Sequence, residues 1–288
     1  MSLKKKHQNL ARLVGSTPLV KISDRVYGKL ETYNPSGSVK DRMISYLLSR
    51  ARLYSDINKD TILCDATSGN TGISLSMHAA AMNLPCVIFM PRNMSEERRQ
   101  LMKAYGAKII DAPDDDFKGA INMRDAFLAS NPNAWSPMQF SNLANIECHE
   151  TTTGPEIQRQ IFQLGPDWSA FIHGSGTGGT IEGVRRFLEN SPTKTYMVVP
   201  AESPHGIQGI GDGKDYLADP KMMDGVITIE TEAAIDRAKK LARETGLLVG
   251  ISAGANILAS EMHVAETNPE GVVVTMLCDR GERYMSIY

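Results

Sequence analysis

The chain has no disulfide framework and no clustered thiols. Its four cysteines, Cys64, Cys86, Cys148 and Cys278, are scattered without a C-x-x-C pair. That spacing argues against structural disulfides and a zinc site, and fits a reducing cytoplasm. Long apolar runs are missing as well: none reaches bilayer length, and no apolar segment follows Lys4-Lys5-Lys6 as in a signal peptide. No membrane partner is expected. Neither sign of charge dominates, since 31 Lys and Arg face 33 Asp and Glu, and the formal net charge of −2 gives no general pull towards nucleic acid. Internal repeats and low-complexity tracts are absent, which excludes solenoids and disordered linkers. What remains is an ordinary globular composition, 42% hydrophobic over 288 residues, enough for one large or two medium domains.

Short unbroken apolar runs alternate with helical patterns. Strands are predicted at residues 19–22, 26–31, 61–66, 86–90, 108–110, 170–173, 197–199, 248–249 and 272–277. Helices are predicted after Lys40 and at 71–82, 96–105, 117–130, 156–164, 181–190, 232–246 and 253–265. Unbroken strands of this kind are those buried on both faces by helices. The pattern predicts an α/β architecture of two open, mostly parallel-sheet domains. Asp114-Asp115-Asp116 could suggest a metal site, but three consecutive acids point in different directions and read as a solvated loop.

Chemistry gathers where strands or turns give way to helices. In Asn34-Pro35-Ser36-Gly37-Ser38-Val39-Lys40-Asp41-Arg42, Pro35 and Gly37 break the preceding structure and Ser38 is placed to cap a helix. Lys40 then falls in the first helical turn, where the helix dipole disfavours a cation. Lysines set against that preference include those that form Schiff bases, although an ordinary exposed lysine fits this stretch equally well. Thr67-Ser68-Gly69-Asn70-Thr71-Gly72 is an anion nest at a helix start; with no Lys or Arg inside it, a carboxylate suits it better than a triphosphate. Gly174-Ser175-Gly176-Thr177-Gly178-Gly179-Thr180 is a phosphate cradle of the same physics. It also satisfies the dinucleotide fingerprint, with Glu202 where a ribose-binding acid would lie, so a nicotinamide-dependent oxidoreductase fits this loop equally. Ser252, in Gly250-Ile251-Ser252-Ala253-Gly254, reads as a helix N-cap by itself. One lysine, one nest, one cradle and one junction serine together match what a single pyridoxal phosphate requires: an amine, a phosphate site and a partner for its ring nitrogen.

These residues, together with Gly15–Val20, Asn93–Arg99, Gln139–Asn142, Thr152–Glu156 and Cys278–Tyr284, resemble the fold-type II pyridoxal phosphate enzymes, whose architecture is that of the tryptophan synthase β subunit. Within them the chain is most similar to the cysteine synthases (O-acetylserine sulfhydrylases), closest to the B-type. The resemblance implies replacement of acetate on O-acetyl-L-serine by sulfide, through an α-aminoacrylate, to give L-cysteine. It implies that Lys40 is the Schiff-base lysine and the base at Cα. Asn70 would bond the cofactor's ring oxygen, Gly176, Thr177, Gly178, Gly179 and Thr180 its phosphate, and Ser252 its ring nitrogen. Thr67, Ser68, Gly69, Thr71 and Gln139 would hold the substrate carboxylate. A smaller mobile domain over 41–142, a larger one of 1–40 plus 143–288, and a cytoplasmic homodimer are also implied. β-Cyanoalanine synthase and cystathionine β-synthase activities share the scaffold, and a non-catalytic binding relative would share much of its sequence. The Gly211-Asp212-Gly213-Lys214 stretch departs from the arginine-containing B-type segment, and His173 stands where the family has a small residue.

Overall fold

The computed structural model describes residues 9–67, 69–114, 116–211 and 217–288. Lys4–Lys6, Ser68, Asp115 and residues 212–214 of the departing stretch lie outside the described residues. The elements begin with β1 (Leu19–Ser23), β2 (Val26–Leu30), α1 (Lys40–Leu53), β3 (Ile62–Ala66), α2 (Asn70–Met82), β4 (Cys86–Pro91), α3 (Glu96–Ala104), β5 (Lys108–Ala112) and α4 (Phe117–Ser130). They continue with β6 (Ala134–Trp135), α5 (Ala144–Cys148), α6 (Gly154–Leu164), β7 (Trp168–Gly174), α7 (Gly179–Phe187), β8 (Lys194–Pro200) and β9 (Gly225–Ile229). Last come α8 (Thr231–Thr245), α9 (Ile251–Thr267) and β10 (Val272–Leu277).

The chain divides into two compact units. The first comprises residues 1–15 and 34–138, the second residues 16–33 and 139–288. Lys40 therefore belongs to the first unit and Gln139 to the second. The first unit holds a parallel sheet in the order β5-β4-β3-β6, and Cys64, Ala66, Phe89 and Ala112 pack with Ala120 of α4 on one of its faces. The second unit holds a six-stranded sheet, β1-β2-β10-β7-β8-β9, parallel except for the β1–β2 hairpin. Ile172, Val198 and Val273 of its strands bury against Ile251, Ala255 and Ala259 of α9. In parallel sheets every strand ends at the same edge, so each strand-to-helix turn delivers its loop there.

Several local expectations give way to specific interactions. Val39, not Ser38, is the N-cap of α1, and no side chain caps it. Instead the Asp41 carboxylate reaches back to accept the Ser36 N–H at 2.6 Å and the Ser36 hydroxyl, which folds the loop onto the helix start. Residues 248–249 do not form a strand; Val249 makes only an isolated bridge to Arg280. The strands β6 and β9, both at sheet edges, escape the periodicity reading: β6 has only two residues, and β9 is largely unburied and carries no unbroken buried apolar run. Asp116 is the N-cap of α4, accepting the Gly119 N–H at 2.6 Å, so one acid of that run has a structural task.

Two buried charge arrangements anchor the units. In the second, the Lys29 ammonium pairs with Glu156 and also donates to the Thr17 carbonyl, while Glu156 accepts the Ser16 and Thr17 N–H groups at 3.0 Å each. In the first, Asp65 on β3 is fully buried; burial pushes its carboxyl up to about 6, against the pull of Arg124 and bonds from Ala66 and Ser136. Arg124 also pairs with Asp125 at 2.7 Å, so it keeps a partner without Asp65.

A carboxyl raised from 3.8 to about 6 binds its proton more tightly in the folded than in the unfolded chain. Stability should therefore fall as pH rises from about 4 to about 6, by roughly 3 kcal/mol, and level off above that. Urea unfolding across this range is expected to show that slope in the parent chain and to lose it in Asp65→Asn.

Candidate active site

In the first unit, Lys40 is the first residue of α1 and is half-buried at the end of the loop that Asp41 folds back. The nest follows β3. Thr67 is buried, and its hydroxyl accepts the Gly69 N–H at 3.1 Å. Gly69 is the N-cap of α2, so Asn70 and Thr71 open the helix and their amides have no intrahelical acceptor. Gly72 lets α2 approach closely, because a Cβ there would lie 2.8 Å from the Thr67 methyl and 3.0 Å from Met102. Arg98 of α3 lies over the nest: a Cβ on Gly69 would sit 2.5 Å from its Cδ and 2.9 Å from its Nε. The sequence places no cation inside the nest, yet the fold brings one from α3. Thr67, Gly69, Asn70 and Thr71 are thus gathered at one helix start; Ser68 lies outside the described residues.

In the second unit the cradle links β7 to α7. Three interactions fix its backbone: the Gly174 N–H donates to Asn256 at 2.8 Å, the Gly211 N–H to the Ser175 carbonyl at 2.8 Å, and the Leu217 N–H to the Thr177 carbonyl at 3.0 Å. Gly178, at φ 83°, takes the left-handed conformation that suits glycine, and a Cβ there would meet the Ala218 nitrogen at 2.5 Å. A Cβ on Gly176 would meet the Gly209 carbonyl oxygen at 2.5 Å, and one on Gly179 would overlap the Asn145 carboxamide.

Asn145 is a site residue that the sequence pattern does not reveal. It is buried, and its Nδ2 donates both to the Gln139 carbonyl at 2.9 Å and to the Thr177 hydroxyl at 3.0 Å. It therefore ties Gln139 to the cradle. The Thr177 hydroxyl also accepts the Gly179 N–H at 3.3 Å, which fills its two lone pairs and leaves its own proton to donate. A π-helical turn at residues 149–153 joins α5 to α6 and carries His149. His149 Nδ1 lies 2.8 Å from the Thr153 hydroxyl and Nε2 lies 3.2 Å from that of Thr180, so the ring orients the second cradle threonine. Ser252 is buried as the second residue of α9; Gly250 is the N-cap, so its hydroxyl is not used as a helix cap. Behind this junction, Asp279 accepts from the Tyr284 hydroxyl at 2.5 Å while its carbonyl accepts the Gly250 N–H at 3.0 Å.

The residues present fit a phosphate monoester. Among the described residues, the Ser175 hydroxyl is buried without a protein partner, the Thr177 hydroxyl accepts twice and keeps its own proton to donate, and the first-turn amides of α7 have no intrahelical acceptor. Glu202, the acid the dinucleotide reading needs, accepts the Thr231 N–H at 2.7 Å at the start of α8. Bonds from the Thr231 side chain and N–H hold its carboxyl below the usual range and commit it to the helix.

Comparison with known proteins agrees with this geometry. Residues 10–279 match the family described as pyridoxal-phosphate dependent enzyme. The chain is 39% identical to a probable cysteine synthase of Bacillus subtilis strain 168, covering 96% of each. It is 39% identical to a cysteine synthase B of Campylobacter jejuni, covering 98% of each. Among solved structures, a hydrogen sulfide-producing enzyme from Fusobacterium nucleatum superposes with a TM-score of 0.89 at 36% identity, covering 99% of this chain and 91% of that one.

Gly176→Ala is expected to displace the cradle backbone, because the obstructing Gly209 carbonyl is itself main chain. Its melting temperature should drop by several degrees, for a cost of about 1–3 kcal/mol, and equilibrium dialysis should show weaker retention of pyridoxal phosphate.

Proposed function

This chain belongs to the pyridoxal-phosphate dependent enzyme family, and from that premise we propose that it is a cysteine synthase, a transferase that replaces the acetate of O-acetyl-L-serine with sulfide to give L-cysteine. The observation that carries this reading is near end-to-end similarity to cysteine synthases combined with a cradle whose open donors suit a phosphate monoester.

When bound, pyridoxal phosphate supplies an aldehyde for an amine and a sink for the electrons left at Cα. In this reading Gly176, Thr177, Gly178, Gly179 and Thr180 bind its phosphate through first-turn amides and the two threonine hydroxyls. Asn145 and His149 aim those hydroxyls. The Lys40 amine would hold the cofactor through its aldehyde, and its Nζ would accept the substrate's Cα proton. Asn70 donates to the ring oxygen. The nest formed by Thr67, Gly69 and Thr71, together with Gln139, holds the substrate carboxylate. Ser252 presents a neutral hydroxyl to the ring nitrogen; unlike a carboxylate, it does not enforce protonation there, which suits departure of a good leaving group from Cβ.

We infer a cytoplasmic homodimer as well. Support comes from four buried cysteines that form no disulfide and from Phe162 and Leu164, exposed by 82% and 50% near the end of α6.

An absorption spectrum of the purified holoenzyme tests the central reading. O-Acetylserine should shift the visible band of the bound cofactor, and sulfide should restore it with release of cysteine. Lys40→Ala should retain the fold, lose the original band and lose turnover by several orders of magnitude. A band indifferent to O-acetylserine but responsive to another amino acid would move the activity to another donor.

A further inference from the structure

Asn256 is fully buried on α9, one helical turn beyond Ser252. Its carboxamide touches the ends of two neighbouring strands. Oδ1 accepts the N–H of Gly174, the last residue of β7 and the entry to the cradle, at 2.8 Å. Nδ2 donates to the Met276 carbonyl of β10 at 2.9 Å, lies 3.1 Å from His173 Nδ1, and lies 3.6 Å from the Cys278 sulfur. Because Nδ2 can only donate, His173 Nδ1 is the acceptor, which places the proton of the neutral ring on Nε2. This gives His173, the residue that departs from the family pattern, a defined tautomer beside the cradle.

We propose that Asn256 is a positioning residue that fixes the spacing between the phosphate cradle and Ser252. It thereby sets the register in which the two ends of pyridoxal phosphate are held. The proposal rests on the reading that the cradle takes the phosphate and Ser252 the ring nitrogen. Hydrophobic packing between α9 and the sheet is non-directional and tolerates small sliding. Hydrogen bonds in a dry interior do not: a shift of about 1 Å would leave buried donors and acceptors unpaired. Asn256 bonds to β7 and β10 at once, so it pins α9 along both strands at the level of the cradle entry. The approach is close, since a Cβ on Gly174 would lie 3.2 Å from Oδ1. An alanine or leucine at 256 would fill space without fixing this register.

The test compares Asn256→Ala and Asn256→Asp with Ser260→Ala. Ser260 is equally buried one turn further along α9, and its hydroxyl donates only to the Asn256 carbonyl of its own helix. The readouts are the pyridoxal phosphate dissociation constant of the apoprotein, the ³¹P chemical shift of the bound phosphate, and the melting temperature of the apoprotein. Asn256→Ala should weaken cofactor binding about tenfold or more and move the ³¹P signal. Asn256→Asp is nearly isosteric and keeps the acceptor for Gly174 while losing the donor to Met276; it should give an intermediate loss. Ser260→Ala should lower the melting temperature alone. Wild-type binding and an unchanged ³¹P shift in both Asn256 variants, whatever their stability, would overturn the proposal. Failure of the wild-type chain to bind pyridoxal phosphate at all would instead overturn the reading of the site on which it rests.

Discussion

The first amides of an α-helix have no acceptor within it, and in this chain that deficit is kept where chemistry can use it. Two other helix starts are satisfied by acidic side chains: Asp116 caps α4, and Glu202 takes the first amide of α8. At α2 and α7 the capping position is a glycine, Gly69 in one case and Gly178 in the other, which has no side chain to accept a first-turn amide. Around the cradle, Leu217 donates to the Thr177 carbonyl and Asn145 to its hydroxyl, which leaves the Thr177 proton and, among the described residues, the Ser175 hydroxyl for an anion. A helix start capped by glycine is less stable than one capped by Ser, Thr, Asn or Asp by only a few tenths of a kcal/mol, and binding an anion there can offset that cost.

The topology puts these openings to use. Strands β3 and β7 are each parallel to their neighbours, and the nest and the cradle follow them directly. Ser252 comes by a different route. It enters α9 through Gly250, and the support behind that glycine is the Asp279–Tyr284 pair from the stretch after β10. The Cys278–Tyr284 segment thus has a structural task at the same junction, although it supplies no proposed ligand itself.

Much of this was legible in the sequence, for a definite reason. Central strands such as β10 and helices such as α4 carry uninterrupted apolar runs or full helical periods, and their limits in the fold match the pattern at residues 272–277 and 117–130. Glycine-rich junctions were legible because few residue types tolerate a left-handed backbone or such close approach. What escaped is what depends on long-range partners. Asn145 reads as one polar residue among several until Thr177 and Gln139 are folded against it. Ser38 has the right chemistry for a cap, but the N-cap falls one residue later, at Val39, and the Ser38 hydroxyl does not cap the helix. Arg98 lies 29 positions from Gly69, and nothing local links them.

The buried thiols carry a consequence of their own. Burial pushes both Cys64 and Cys86 up to about 12, and neighbouring charges do not reverse this. At neutral pH only about one in 10⁵ of such groups is ionised, and the ionised form is the one that attacks a disulfide or oxidised sulfur. Cys64 and Cys86 pair with Val87 and Leu63 of the adjoining strands, so they point to opposite faces of the sheet and cannot bridge to each other. If the chain works with sulfide and releases a thiol as proposed, these two sulfurs are ones that stay out of the exchange reactions such a product promotes.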